Sequence, residues 1–231
     1  MKKILCTICM RGNSKGLVNK NLKLLNGKPL MFYTVNQAKK SKIFDEIVVS
    51  SDSQKILNTA KYYNIKNLIL RPKKLASDKS GKLPAIKHAL LNTEKKLNKV
   101  FHYVIDLDVT SPLRNINDIK KSLALFKKRD ADNLFSVNNS KKSPYFNMVE
   151  NRNSKIRLIK ENNNILRRQD TPKTYDLNAS IYIWKRKTLV EKKTIFNSKT
   201  CIYEMPFIRS IDIDSLDDFK IVNLLIKKND T

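Results

Sequence analysis

Residues Met10 to Asn21 read MRGNSKGLVNKN. Two of the chain's only four glycines, Gly12 and Gly16, lie there among three cations, Arg11, Lys15 and Lys20, and the small polar residues Asn13, Ser14 and Asn21. Glycine lets backbone N–H groups approach an oxyanion, and Arg and Lys neutralise its charge, so this composition suits a polyphosphate. A solvated Gly-Lys-Ser turn accounts for the same residues. The loop matches neither GxxxxGK[ST] nor GxGxxG, and motif chemistry alone leaves both readings open. Near the other end, Asp212 and Asp214 alternate with Ile211 and Ile213. Period-2 alternation puts both carboxylates on one side of an extended segment. With phosphates nearby they match the hard oxygen ligands of Mg²⁺. The run SIDIDSLDD also reads as an acidic helix N-terminus favoured by the helix dipole. Asp217 and Asp218 fit that second reading better than Asp212 and Asp214 do.

The elements that must position these residues follow from local pattern. The apolar run Lys3–Cys9 predicts a buried first strand that empties into the loop. A turn at Gly27-Lys28-Pro29 precedes a helix of about 13 residues from Leu30, with Leu30, Tyr33, Thr34, Gln37 and Ala38 as its inner stripe. Asp45–Ser51 predicts a second strand. Asp52-Ser53 would cap a helix running through Tyr63, with Ile56, Leu57, Ala60 and Tyr63 inward, and Asn67–Leu70 a third strand. This βαβαβ rhythm predicts an α/β fold with a parallel sheet covered on both faces. It continues through a polar loop at 73–82, a helix from Pro84 to about Leu97, a strand His102–Leu107, a helix from about Asn117 to Arg129 and a strand Asn133–Val137. Residues 140–175 break the rhythm. Strands Phe146–Glu150 and Lys155–Ile159 around an NRNS turn predict a hairpin inserted on the main sheet. Strand Ala179–Trp184, a short helix at Arg186–Glu191, an edge strand Thr200–Met205 and a helix from about Ser215 to Lys227 complete a single domain, 1–231. In an open sheet of this kind, ligands collect at the carboxyl ends of the strands near the switch in strand order. The polar clusters 10–21, Arg71 with 76–82, 106–114 and 168–178 fall in such places.

Composition excludes several classes. No run of 18 apolar residues is present, and the N-terminus lacks a signal-peptide pattern, so a cytoplasmic protein is expected. Cys6 and Cys9 form a CxxC on a predicted strand, where residues three apart face opposite ways. With no second pair they do not make a zinc site, and with Cys201 they read as buried thiols. The formal charge of +26 is spread along the chain without an RNP, KH or zinc-finger pattern. It is read as a solvated cationic surface whose field favours anionic substrates. His88 and His102 are the only histidines, one in a helix and one opening a strand, which disfavours Ser–His–Asp or zinc hydrolysis.

The segments TICMRGNSKGLVNKN, LRPKKLASD, DLDVTSPLR and SIDIDSLDDFKI, in that order over nearly the whole chain, resemble the acylneuraminate cytidylyltransferase family, the CMP-sialic acid synthetases. Within it, DLDVTSPLR with SPYFNMVE and RRQDTPKTYDLNASIYI is similar to the CMP-N,N′-diacetyllegionaminic acid synthases. The resemblance implies a Rossmann-like, three-layer nucleotidyltransferase fold. It implies transfer of CMP from CTP to the anomeric hydroxyl of a nine-carbon 2-keto sugar acid, with release of pyrophosphate and with Mg²⁺ as cofactor. N,N′-diacetyllegionaminate is the first expectation, and N-acetylneuraminate or pseudaminate the alternatives. It assigns Arg11, Lys15 and Lys20 to the triphosphate with Asn21 nearby, Arg71 and Ser80 to the cytidine, Asp212 and Asp214 to magnesium, and Asp108, Arg168, Gln169 and Asn178 to the sugar acid. Arg168 would pair with the substrate carboxylate. Asn13 and Ser14 join the nucleotide-binding set. Three positions depart from the sialic acid pattern: Asp108 for Gln, Asp176 for Arg and Lys82 for Ser. The family also forms homodimers through an arm that matches 140–175. A non-catalytic nucleotide- or RNA-binding protein on the same fold is the competing class, and the intact set Arg11, Lys15, Lys20, Asp212 and Asp214 speaks against it.

Overall fold

The computed structural model describes residues 2–13, 16–77, 80–161 and 167–229. The first strand, β1 (Ile4–Cys9), is buried along nearly its whole length because it lies inside a sheet covered on both sides. A short hairpin, β2 (Leu24–Leu25) and β3 (Lys28–Pro29), turns at Asn26 and Gly27, both at positive φ. It leads into α1 (Leu30–Ser41), β4 (Glu46–Ser51), α2 (Gln54–Tyr62), β5 (Asn67–Leu70), α3 (Lys82–Leu97), β6 (Tyr103–Leu107), α4 (Ile116–Lys128) and β7 (Asn133–Asn139). A separate hairpin of β8 (Val149–Arg152) and β9 (Lys155–Leu158) follows. The chain then returns through β10 (Tyr175–Lys185), α5 (Arg186–Glu191), β11 (Thr200–Glu204) and α6 (Leu216–Asn229).

Seven strands form the central sheet in the order β11-β7-β10-β6-β1-β4-β5. β10 is antiparallel to both its neighbours, and the other pairings are parallel. Side chains alternate between the two faces of each strand. Ile4, Cys6 and Ile8 of β1 therefore join α1, α2, α4 and α6 in one core, with Val35, Ile56, Phe126 and Val222. Leu5 and Cys9 face the second core, built with Ile86 and Leu90 of α3, Leu189 of α5 and Trp184. The CxxC thiols thus lie on opposite faces and are free, as the spacing predicts.

Several local expectations change. The inner stripe of α1 is Leu30, Met31, Thr34, Val35 and Ala38, whereas Tyr33 and Gln37 lie at its margins. Tyr33 donates to Leu25 O and Gln37 to Pro112 O and Arg114 O. Ser53 occupies the N-cap position of α2 without a side-chain cap, because Asp52 accepts from Gly12 N–H instead. The true capping box is on α4, between Asn115 and Asp118. The hairpin of 140–175 forms its own two-stranded sheet and does not extend the main one. Its turn is the expected Asn153-Ser154, both at positive φ. β10 begins at Tyr175, four residues before the predicted strand start at Ala179, and carries a bulge between Leu177 and Tyr182.

Candidate active site

The chain leaves β1 outward through β4 to β5, then crosses back to the other flank of β1 as β6. The carboxyl ends of β1 and β6 diverge at that switch, and a cleft of about 320 Å³ opens there. Met10 N–H still donates to Ser50 O, but beyond it the loop after β1 leaves the sheet. Both of its glycines sit where the chain passes close to a neighbour. A Cβ on Gly12 would strike Cβ of Ser53, and one on Gly16 would strike the carbonyl oxygen of Asp214. Gly12 N–H is already given to Asp52 Oδ1 at 2.9 Å, so this amide is not open to an anion. Asn21 Nδ2 donates to Arg11 O at 2.8 Å and so fixes the turn that brings Arg11 and Asn13 to the cleft. Ser14 and Lys15 lie outside the described residues.

Lys20 is buried and points across the loop to the far segment. Its ammonium donates to Ile213 O at 2.5 Å and to Asp214 Oδ1 at 2.9 Å. Asp214 is 78% exposed at the cleft rim, whereas Asp212 is half-buried. Burial, and then the charge of Asp108, push the Asp212 carboxyl up to about 6, and its Oδ1 is buried without a partner. An orphaned carboxylate oxygen beside a second carboxylate is the donor chemistry a hard divalent cation takes. Among the described residues no group of three or more His, Cys, Asp or Glu is arranged around one point, so an ion here would need oxygens from a ligand or water. Arg71, only 4% exposed, follows β5. It donates from Nη2 to Met10 O at 2.9 Å, lies 3.8 Å from Asp52, and keeps a buried Nε without a partner. Ser80 lines the same wall.

The opposite wall comes from β6, β10 and the start of α3. Asp108 Oδ1 accepts from Thr110 N–H at 3.1 Å and from its hydroxyl at 2.9 Å, and Asp108 Oδ2 accepts from Lys82 Nζ at 2.6 Å. Burial works to raise its pKa, but Lys82 and Thr110 hold it down at about 2. Lys82 also lies 3.0 Å from Asp106, a carboxylate with no solvent exposure that accepts from Thr7 Oγ1 at 2.8 Å. Arg114, fully buried, anchors this turn by donating to Asp108 O, Ser180 O, Thr34 Oγ1 and Gln37 Oε1. Sequence reasoning named Lys82 only as a departure and missed Asp106, Thr110 and Arg114. The period-2 spacing of Asp106 and Asp108 was the signal that could have found the first of these.

Four other named residues stand elsewhere. Asn178 is buried on β10, where its amide is consumed: Oδ1 accepts from Ser136 Oγ, and Nδ2 donates to Ser210 Oγ and Met205 Sδ. It holds the bulge in which Ala179 takes φ +54. It shapes the cleft wall without lining it. Arg168 and Gln169 are exposed on the excursion after β9, with Arg168 Nη2 donating to Lys141 O at 2.7 Å. Asp176 accepts from Asn138 Nδ2 at the outer end of β10.

Comparison with known proteins gives a consistent picture. The family model described as Cytidylyltransferase matches residues 5–230. The post-translational flagellin modification protein B of Campylobacter coli is 41% identical over 228 residues, 99% of this chain and 97% of that protein. The CMP-N,N′-diacetyllegionaminic acid synthase of Campylobacter jejuni is 43% identical over 226 residues, 98% of this chain and 96% of that one. A solved CMP:2-keto-3-deoxy-manno-octonic acid synthetase complexed with CTP shares the fold, with a TM-score of 0.69 at 15% identity over 98% of this chain and 99% of its own.

Proposed function

This chain belongs to the cytidylyltransferase family, and on that premise we propose that it transfers CMP from CTP to the anomeric hydroxyl of N,N′-diacetyllegionaminate and releases pyrophosphate. One observation carries the proposal. A single cleft gathers the cationic loop after β1, Arg71 after β5, Asp108 after β6 and the Asp212–Asp214 segment before α6. Their spread along the chain has no local structural explanation. A nucleotide and an acidic sugar need this mixture of cations, donors and carboxylates.

In this reading Arg11 and Lys20, with Lys15, hold the triphosphate, and Arg71 and Ser80 take the nucleoside on the β4–β5 side of the cleft. The sugar acid lies on the β6–β10 side. The anomeric oxygen bonds to the α-phosphorus as the bond to the bridging oxygen breaks, and the pair β,γ leaves as pyrophosphate. Holding both reactants in line removes most of the entropic barrier, and fixed cations stabilise charge building on the leaving group. Asp212 and Asp214 would hold Mg²⁺, which when bound supplies charge neutralisation on phosphoryl oxygens. Lys20 already shares Asp214, so cation and carboxylate are held where the phosphates would enter.

Among the described residues no helix is long and apolar enough to cross a membrane, and a cytoplasmic site, with access to CTP, goes with this function. A homodimer does too. One face of the β8–β9 hairpin carries Val149, Ile156 and Leu158, with Val149 and Ile156 exposed, while the other carries the Glu150–Arg157 ion pair. A second copy of the chain is the proposed cover for the apolar face, and a sugar-binding role for Arg168 and Gln169 requires that dimer. The experiment is pyrophosphate release from CTP and Mg²⁺ with N,N′-diacetyllegionaminate, N-acetylneuraminate and pseudaminate in parallel. Preference for the first is expected. Release with none of them, despite CTP binding, would make the chain a nucleotide-binding protein instead.

A further inference from the structure

Lys82 is the first residue of α3, where the helix dipole opposes a cation. A residue that breaks a local rule is held by something else, and here the sheet register supplies it. Thr7, Asp106 and Tyr182 stand directly opposite one another on β1, β6 and β10, in one row beneath the start of α3. The Lys82 ammonium sits 4.6 Å from the centre of the Tyr182 ring, 3.0 Å from Asp106 Oδ2 and 2.6 Å from Asp108 Oδ2. The carbonyl of Ala179, displaced by the β10 bulge, lies 3.4 Å away and accepts a hydrogen bond from Lys82 alongside Asp108. Two of the ammonium protons are donated, to Asp108 Oδ2 and to the Ala179 carbonyl, and Asp106 Oδ2 is held as an ion-pair neighbour without a hydrogen bond.

The consequence falls on Asp108. An ionised carboxylate accepts about four hydrogen bonds, and Asp108 has three, two from Thr110 and one from Lys82. Its remaining acceptor capacity is at the cleft, where it lines the wall. It can receive an N–H or O–H there and repels an anion. Lys82 cannot itself meet a substrate carboxylate without abandoning two buried or half-buried aspartates, one of which has no solvent to turn to.

We propose that Lys82 and Asp108 act as one unit that selects a hydrogen-bond donor, an amide N–H or a hydroxyl, on the sugar acid, with Asp108 making the contact and Lys82 as its positioning residue. The substrate carboxylate is thereby left to the cationic side of the cleft. This inference rests on the reading of the cleft as a sugar-acid cytidylyltransferase site.

The test compares the full chain with Lys82→Met, Asp108→Asn and the double variant, measuring pyrophosphate release with KM for CTP and for N,N′-diacetyllegionaminate taken separately. Thermal melting with and without CTP monitors the fold. Each single substitution should lower kcat/KM for the sugar acid by about tenfold or more, the worth of a hydrogen bond to a charged group, while KM for CTP moves by no more than about twofold. The double variant should be no worse than Lys82→Met, because removing the Asp108 charge relieves the repulsion that Lys82→Met exposes. Multiplying single effects, or a CTP KM that rises as much as the sugar KM, would overturn the proposal. If Lys82→Met melts below the assay temperature, Asp108→Asn decides alone: unchanged sugar kinetics reject the inference, and a selective loss for the sugar supports it. Wild-type protein that releases no pyrophosphate with any of the three sugar acids overturns the activity and this inference together. Active wild type with unaltered variants overturns this inference only.

Discussion

Burial and the charge of Asp108 push the Asp212 carboxyl from its ordinary 3.8 up to about 6, while the Lys82 and Thr110 contacts outweigh burial and hold Asp108 down at about 2. The two have opposite signs in linkage. Asp212 binds its proton more tightly folded than unfolded, so its contribution to stability is lost as pH rises from 3.8 to about 6 and stays flat above that. Asp108 contributes stability that is full above 3.8 and lost as pH falls toward about 2. Asp212→Asn is therefore expected to stabilise the metal-free protein at neutral pH by about 1 kcal/mol, a figure reduced for the solvent that still screens this side chain. The same substitution should lower turnover by about a hundredfold or more, since it removes a hard ligand for the cation that neutralises the phosphoryl charge. Differential scanning calorimetry without metal and the pyrophosphate assay with Mg²⁺ check the two halves. A loss of both stability and activity would make Asp212 structural. Gly16→Ala pushes the loop off the Asp214 carbonyl, and a displacement of this kind should cut kcat/KM for CTP by about tenfold or more with little change in melting temperature.

At the scale of elements, β10 does more than complete the sheet. Within the central sheet it runs antiparallel to both neighbours, and its bulge puts Ala179 at φ +54, a conformation that disfavours a side chain by about 1–2 kcal/mol. Such strain persists when the surroundings over-determine it. Here Asn178 does so through Ser136, Ser210 and Met205, and Arg114 holds the next carbonyl, Ser180 O. The bulge aims Ala179 O at Lys82 and lets Ser180 O accept from Asp108 N–H at 3.1 Å. Asn178→Ala should cost about 2–3 kcal/mol, the loss of several buried hydrogen bonds, in denaturant unfolding. It should also raise KM for the sugar acid more than KM for CTP, because the bulge belongs to the β6–β10 wall. Equal effects on both would place the clamp's influence on the whole sheet.

The whole molecule is a sheet whose strand order reverses at β1 and β6, with two cores and a hairpin standing outside both. On the hairpin's apolar face Leu158 is half-buried, but Ile156 is 67% exposed and Val149 61%. Exposed apolar clusters of this kind mark contact surfaces. Ile156→Glu is expected to leave a folded monomer by sedimentation equilibrium, with CTP-dependent protection against heat retained, if the hairpin joins two copies. A mass unchanged from the wild type would remove the hairpin from the interface.

The alternation of strands and helices is legible in the sequence, because apolar runs and their period are local and the β1-to-β6 elements lie within a few residues of where that pattern puts them. So is the shared cleft of the loops that hold Arg11, Lys20, Arg71 and Asp108, since βαβ connections deliver strand ends to one edge of a parallel sheet, whereas Asp212 and Asp214, which also line it, are joined to that set by the family resemblance. Cap chemistry at Ser53 misled, because Asp52 had a competitor 40 residues away in Gly12 N–H. That Lys82 answers to Asp106 and Asp108, that Asn178 is a clamp, and that Arg168 lies off the cleft emerges from the packed molecule alone. Those facts depend on which residues of β1, β6 and β10 stand opposite one another and on where a bulge falls. Register and bulge are set by the packing of elements far apart in the chain, and no local period records them.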